Sequence, residues 1–252
     1  MRIPIAAKPR GEGGLRCIIG CRKTPLEVYL SAQWLRFGYL IFAPAALAAV
    51  AGLAVVFAAQ SGNRDQAVAA LYSPDPWVRL EGVDQLAQLG TTADADLVIE
   101  VLYDSDPVVR EHAQAAVWVL WGRSGDPEAD RLLKSGIERM EGGEMGEAVE
   151  VFTRVIERKP EFAEGWNKRA TAYYLMGDFD RSLKDCDEVI KRNPQHFGAL
   201  SGYGMIYSRL GDLEKALGYF ERALEVNPNL KGVEESIRII RYKLREGGKQ
   251  EI

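Results

Sequence analysis

After residue 60 the chain sets apolar stripes against polar faces at helical spacing, without the period-two alternation of a strand. The clearest stripe is near the end. Val233, Ile237, Ile240 and Leu244 share one face of a helix predicted over about Asn229 to Arg245, with charges elsewhere. Upstream, Pro160, Pro194 and Pro228 recur at one constant interval. In register with them run large residues (Leu132, Trp166, Leu200; Phe152, Cys186, Phe220) and small ones (Gly136, Ala170, Gly204; Ala148, Ser182, Ala216). Small residues let two helices approach, and large ones fill the space between pairs. Gly177-Asp178 and Gly211-Asp212 mark the turns, with glycine closing one helix and Asp opening the next. Glu141-Gly142-Gly143-Glu144 makes a looser turn in the first pair.

A second, slightly shorter period precedes this one. Ser73-Pro74-Asp75-Pro76-Trp77-Val78-Arg79 returns in outline as Asp104-Ser105-Asp106-Pro107-Val108-Val109-Arg110. Asp caps a helix through its side-chain oxygen, and proline sits at the first helical position, where no backbone N–H is missed. A fixed period of this size means stacked helix pairs. Before residue 60 the pattern changes. Leu40 to Ala59 carries no charged side chain and is long enough to span a bilayer as a helix, and Trp34, Phe37 and Tyr39 precede it as an interfacial belt would. A retained anchor, a cleaved signal peptide and a buried helix all fit this run; the anchor accords best with its length.

The array marked by the three prolines, 127–228, resembles the tetratricopeptide repeat at nearly every signature position, with 34-residue units counted at 129–162, 163–196 and 197–230 and a capping helix at 229–246. The Asp-Pro-x-Val-Arg units of 61–123 resemble HEAT-like repeats, including those named after phycobilin lyases. That resemblance implies a ladder among Asp75, Arg79, Asp106 and Arg110. With a basic segment at 1–37 and a membrane helix at 38–60, the expected fold is all-α: a right-handed α-solenoid of helix-turn-helix repeats with a single N-terminal transmembrane helix. The short gap at Gly122–Pro127 implies that the two repeat regions stack as one continuous solenoid.

Charge is unevenly spread. Residues 1–59 hold seven Lys/Arg and two Asp/Glu, and the rest hold 25 against 34. The acidic remainder argues against nucleic-acid binding. The basic excess ahead of the apolar run places the N-terminus in the cytoplasm and the repeats across the membrane. Cys17 and Cys21 lack further ligands for a metal site, and Cys186 falls at a packing position. His112 and His196 have no nucleophile or paired ligand at a meaningful spacing. These features point to a protein that is not an enzyme and has no cofactor.

The tetratricopeptide resemblance implies a concave groove lined by the first helix of each pair and filled by a partner peptide. The residues expected to contact it are Leu133, Ile137 and Met140; Glu164, Asn167, Thr171 and Tyr174; and Ser201, Met205 and Arg209. Asp130, Glu141, Leu175, Gly198 and Ser208 share their repeat positions. Leu133 and Ile137 stand where a carboxylate-clamping member carries Lys and Asn, so the mixed apolar and polar groove is expected to suit an extended or helical peptide better than a clamped chain end. The expected function is a membrane-anchored scaffold that supports assembly of a larger complex. The alternative is a tetrapyrrole- or bilin-handling lyase or chaperone that uses the HEAT-like pairs.

Overall fold

A computed structural model describes residues 64–250, with side chains through Glu246. The apolar run at 38–60, the basic segment, Cys17 and Cys21 lie outside the described residues. Among those described, no helix is long and apolar enough to cross a membrane, and no strand is present.

Four helices come first: α1 (Arg64–Ala70), α2 (Pro76–Leu89), α3 (Ala95–Glu100) and α4 (Pro107–Trp121). The repeated Asp-Pro motif starts two of them as its chemistry requires. Asp75 accepts from the Trp77 N–H, and Asp106 accepts from those of Val108 and Val109. The same device, unread in the sequence, opens the next helix, where Asp126 accepts from Glu128 and Ala129 ahead of Pro127.

The motif arginines staple the turns behind them. Arg79 Nη1 donates to the Ser73 and Pro74 carbonyls at 2.9 and 3.1 Å, and Arg110 Nη1 to those of Asp104 and Ser105 at 2.7 and 3.2 Å. The other edge of Arg79 grips Asp104 with both nitrogens, at 2.6 and 2.7 Å, and this holds the Asp104 carboxyl below the usual carboxylate range. The expected ladder among Asp75, Arg79, Asp106 and Arg110 therefore needs correction. Asp75 and Asp106 are occupied as helix caps, and Asp104 is the partner of Arg79.

Six helices then pair as α5 (Pro127–Glu141) with α6 (Met145–Arg158), α7 (Ala163–Leu175) with α8 (Phe179–Arg192), and α9 (Phe197–Leu210) with α10 (Leu213–Val226). A last helix, α11 (Lys231–Gln250), follows α9 at the same interval by which α9 follows α7, and covers the third pair with Val233, Ile237 and Ile240. Gly143, Gly177 and Gly211 all take positive φ, near 80°, so the first turn is as regular as the others. The residue before each repeat proline is extended: Lys159, Asn193 and Asn227 have φ between −131° and −138°. Inside the pairs, Gly136 faces Phe152 and Gly204 faces Phe220, while Ala170 shares its cluster with the smaller Cys186.

The two regions do not form one continuous stack. Rather than continuing onto α5, α4 lies across the loops that join the repeats. Its Trp118 and Trp121 rings meet Phe197 at 5.0 and 4.9 Å, and the core of α1 to α4 takes in Phe197, Val226 and Leu230. Arg110 Nε donates to Asn229 Oδ1 at 2.9 Å, Asn229 Nδ2 to the Leu102 carbonyl at 2.8 Å, and Asn227 Nδ2 to Gln114 Oε1 at 2.8 Å. The arginine that in the first unit reaches the second thus finds its acceptor in the loop before α11. The described residues form one compact unit. Arg110→Ala is expected to lower unfolding free energy by about 2 kcal/mol, since it removes hydrogen bonds from a charged group to half-buried acceptors. Denaturant titration of Arg110→Ala, Asn229→Ala and the double variant checks this; strictly additive losses would mean that the two residues do not act together.

Candidate functional site

The first helices of the pairs, α5, α7 and α9, lie side by side. The ten residues expected along them fall into two groups. Toward the helix starts, Leu133 is buried in the core of the first pair beside Phe152. Glu164 and Asn167 are only 3% and 7% exposed. Leu133 and Glu164 are therefore interior residues rather than groove contacts, and the Asn167 amide is already committed, donating to Glu164 Oε2 at 3.0 Å. Ser201 is half-buried and donates to the Phe197 carbonyl.

Toward the helix ends the surface opens. Ile137 and Met140 are half-buried against the first core cluster. Thr171 is half-buried with its hydroxyl on the Asn167 carbonyl, and the half-buried Tyr174 ring leans on Phe179 at 5.8 Å. Met205 and Arg209 are exposed. The structure brings Asn167, Thr171, Tyr174 and Met205 together along a cleft of about 50 Å³ between α7 and α9, with Gly198 and Gly202 across it. Leu133, Ile137, Met140, Glu164, Ser201 and Arg209 lie outside that cleft.

Around Glu164 and His196 the closed half is covered by the helices before the array. Trp118 rests on Gly198, where a Cβ would come within 2.5 Å of the ring, and Lys168 Nζ lies 5.7 Å from the same ring. Trp121 stacks on His196 at 4.3 Å and 17°. His196 is fully buried and caps α9, its Nδ1 accepting from the Ala199 N–H at 3.1 Å. That leaves Nε2–H to donate to Glu164 Oε2 at 3.0 Å, a tautomer assigned from the bonding pattern. Lys168 Nζ meets Glu164 Oε1 at 3.0 Å. Burial works against charge on Glu164, but the His196 hydrogen bond and the Lys168 charge outweigh it and hold the carboxyl below its ordinary range. Sequence spacing had left both histidines unpaired, yet His196 meets Glu164 and His112 Nδ1 lies 2.8 Å from Asp84. Cys186 is buried, and burial pushes its thiol up to about 12.

On the three pairs, the large apolar side chains left exposed among the described residues are Leu175, Met176, Met205 and Leu210, at 42% to 54%. All four belong to α7, α9 or the residue that ends α7. Met176 and Leu210 were missed by the sequence reading, although the Leu-Met pair at the end of α7 and the Leu one repeat later could have shown them.

Comparison with known proteins bears on this array. Residues 161–229 and 133–187 match models of the tetratricopeptide repeat. A TPR repeat-containing protein of Rhizobium etli is 32% identical over 70 residues, which are 28% of this chain and 34% of that protein. The chain thus spans about a third of the length of the curated relative it matches. Similar solved structures include the first TPR of Spaghetti (RPAP3) bound to an HSP90 peptide, at 27% identity, TM-score 0.45, covering 46% of this chain and 93% of that one. Another is the Sgt2 TPR domain of Aspergillus fumigatus, at 21% identity, TM-score 0.47, with 49% and 83% covered. The helix pairs between residues 133 and 229 are tetratricopeptide repeats.

Proposed function

We propose that the protein is a non-catalytic, membrane-anchored adaptor that holds a segment of a partner protein against the open half of the groove, supporting assembly of a larger complex. The observation that carries this reading is the confinement of exposed apolar side chains on the repeats to their first helices and the ends of those helices. Apolar side chains left bare at the ends of the first helices are what a docking partner would cover. Met176 and Met205 bring side chains that adapt to varied shapes. The anchor rests on the uncharged run Leu40 to Ala59 and the basic residues before it, which would place the N-terminus in the cytoplasm and the repeats on the opposite side.

The test is affinity capture from native membranes with the full chain and with a Leu175→Ser, Met205→Ser variant. Both changes are at exposed sites, so the thermal transition should be preserved. A partner captured by the first and lost by the second is the expected result. Capture of the same set by both would remove the groove from the proposal. Orientation is read by adding protease to sealed vesicles with the cytoplasmic side enclosed; cleavage of the repeats is expected, and protection would reverse the assignment.

A further inference from the structure

The ends of the first helices carry a pattern that the apolar row alone does not express. One repeat position holds Glu141 at the end of α5, Leu175 at the end of α7 and Arg209 in the last turn of α9, each one repeat after the last. All three are exposed. Neighbouring acids and bases are consumed nearby: Arg139 pairs with Glu144 and Glu147, Asp178 with Arg181, and Asp212 with Lys215. Glu141 and Arg209 form no ion pair among the described residues. Arg209 is also the sole charged side chain of α9. The open surface therefore reads acid, apolar, base across the three repeats, with Met205 broadening its apolar part.

From this we infer the polarity of the partner: a peptide segment apolar at its centre, with a basic residue toward the first repeat and an acidic residue toward the third. The inference rests on the adaptor reading and gives its ligand a chemical class and a direction. Neighbouring packed helices stand about 10 Å apart, and an extended chain advances about 3.3 Å per residue. The basic, apolar and acidic positions of an extended partner then follow at intervals of about three residues. Reversing the segment would set like charges against each other at both ends, so the charges select orientation more than they add affinity.

The test is selection of a displayed random-peptide library on the purified full chain, repeated on Arg209→Glu, on Glu141→Lys, and on Leu175→Ser with Met205→Ser. The native chain is expected to enrich apolar-centred peptides with the stated charges. Arg209→Glu should lower the acidic preference at one end about fivefold, and Glu141→Lys should do the same for the basic preference at the other. Apolar-centred peptides whose charge preference survives both changes would overturn the polarity while leaving the adaptor reading intact. Peptides equally enriched by the Leu175→Ser, Met205→Ser chain, or no enrichment at all, would sink the adaptor reading itself. Phosphatidylcholine vesicles provide the last arm: binding to them that Leu175→Ser with Met205→Ser abolishes would assign the surface to lipid and overturn the inference.

Discussion

Replacing His196 with alanine is expected to cost about 4 kcal/mol of stability, a large share of what a domain of this kind holds. Three losses combine. The ring is fully buried and stacked on Trp121, so its removal leaves a cavity of the kind that costs about 3–5 kcal/mol for an aromatic truncation. The Ala199 N–H loses its cap, a loss of about 1 kcal/mol. Buried Glu164 loses a donor. These overlap and do not sum in full. Chemical denaturation of the native and variant chains measures the difference, and a loss below about 1 kcal/mol would show that the junction is not held as described. Acid gives an independent readout. Glu164 has a folded-state pKa below its ordinary value of 4.5, so its contribution to stability is complete above that value. The contribution drains away as pH falls through the folded pKa. Without the His196 donor, burial raises the Glu164 pKa and that acid loss shrinks. The stability lost as pH falls below about 4.5 should therefore be smaller in His196→Ala than in the native chain.

Gly204→Ala is expected to destabilise by about 2 kcal/mol, against the usual preference of helices for alanine. The added methyl would stand 2.5 to 2.7 Å from three atoms of the Phe220 ring, closer than packed carbons tolerate. The second repeat solves the same crossing differently, with Ala170 and Cys186 in place of glycine and phenylalanine. Phe220→Cys alone should lose apolar burial, but in the Gly204→Ala background its further cost should be about 1–2 kcal/mol smaller. A thermodynamic cycle over the four chains reads this coupling. A coupling near zero would mean that helix spacing, rather than the ring, sets the requirement for glycine.

The sequence made the array legible because its constraints are local and repeated. A proline forbids the helical conformation to the residue before it, a glycine accepts positive φ, and small and large side chains must alternate across one crossing. Asn193, Gly177 and Gly204 answer to these rules without reference to the rest of the chain. Glu164 and Asn167 did not, since repeat position alone would turn them toward the groove. What covers the His196–Glu164 pair is α4, through Trp118 and Trp121, which hold no position of the repeat pattern. Nothing in their spacing points to His196 or Phe197, far along the chain. Asp106 misled for a different reason: a carboxylate that caps its own helix is no longer free to bind the arginine of a neighbouring unit, and Asp104, just before it, takes that place.

The bond from Arg110 to Asn229 spans 119 residues of chain. A linear array can fold repeat by repeat as it leaves the ribosome, each unit needing only its neighbour. Here the helices made first present Trp118, Trp121 and Arg110 to surfaces not yet synthesised. Trp118 and Trp121 wait, uncovered, until His196 and Phe197 emerge, and Arg110 waits for Asn229; contacts of such long sequence separation slow the final closure. Nascent chains halted before His196 should thus recruit holding chaperones, and chains released after α11 should not.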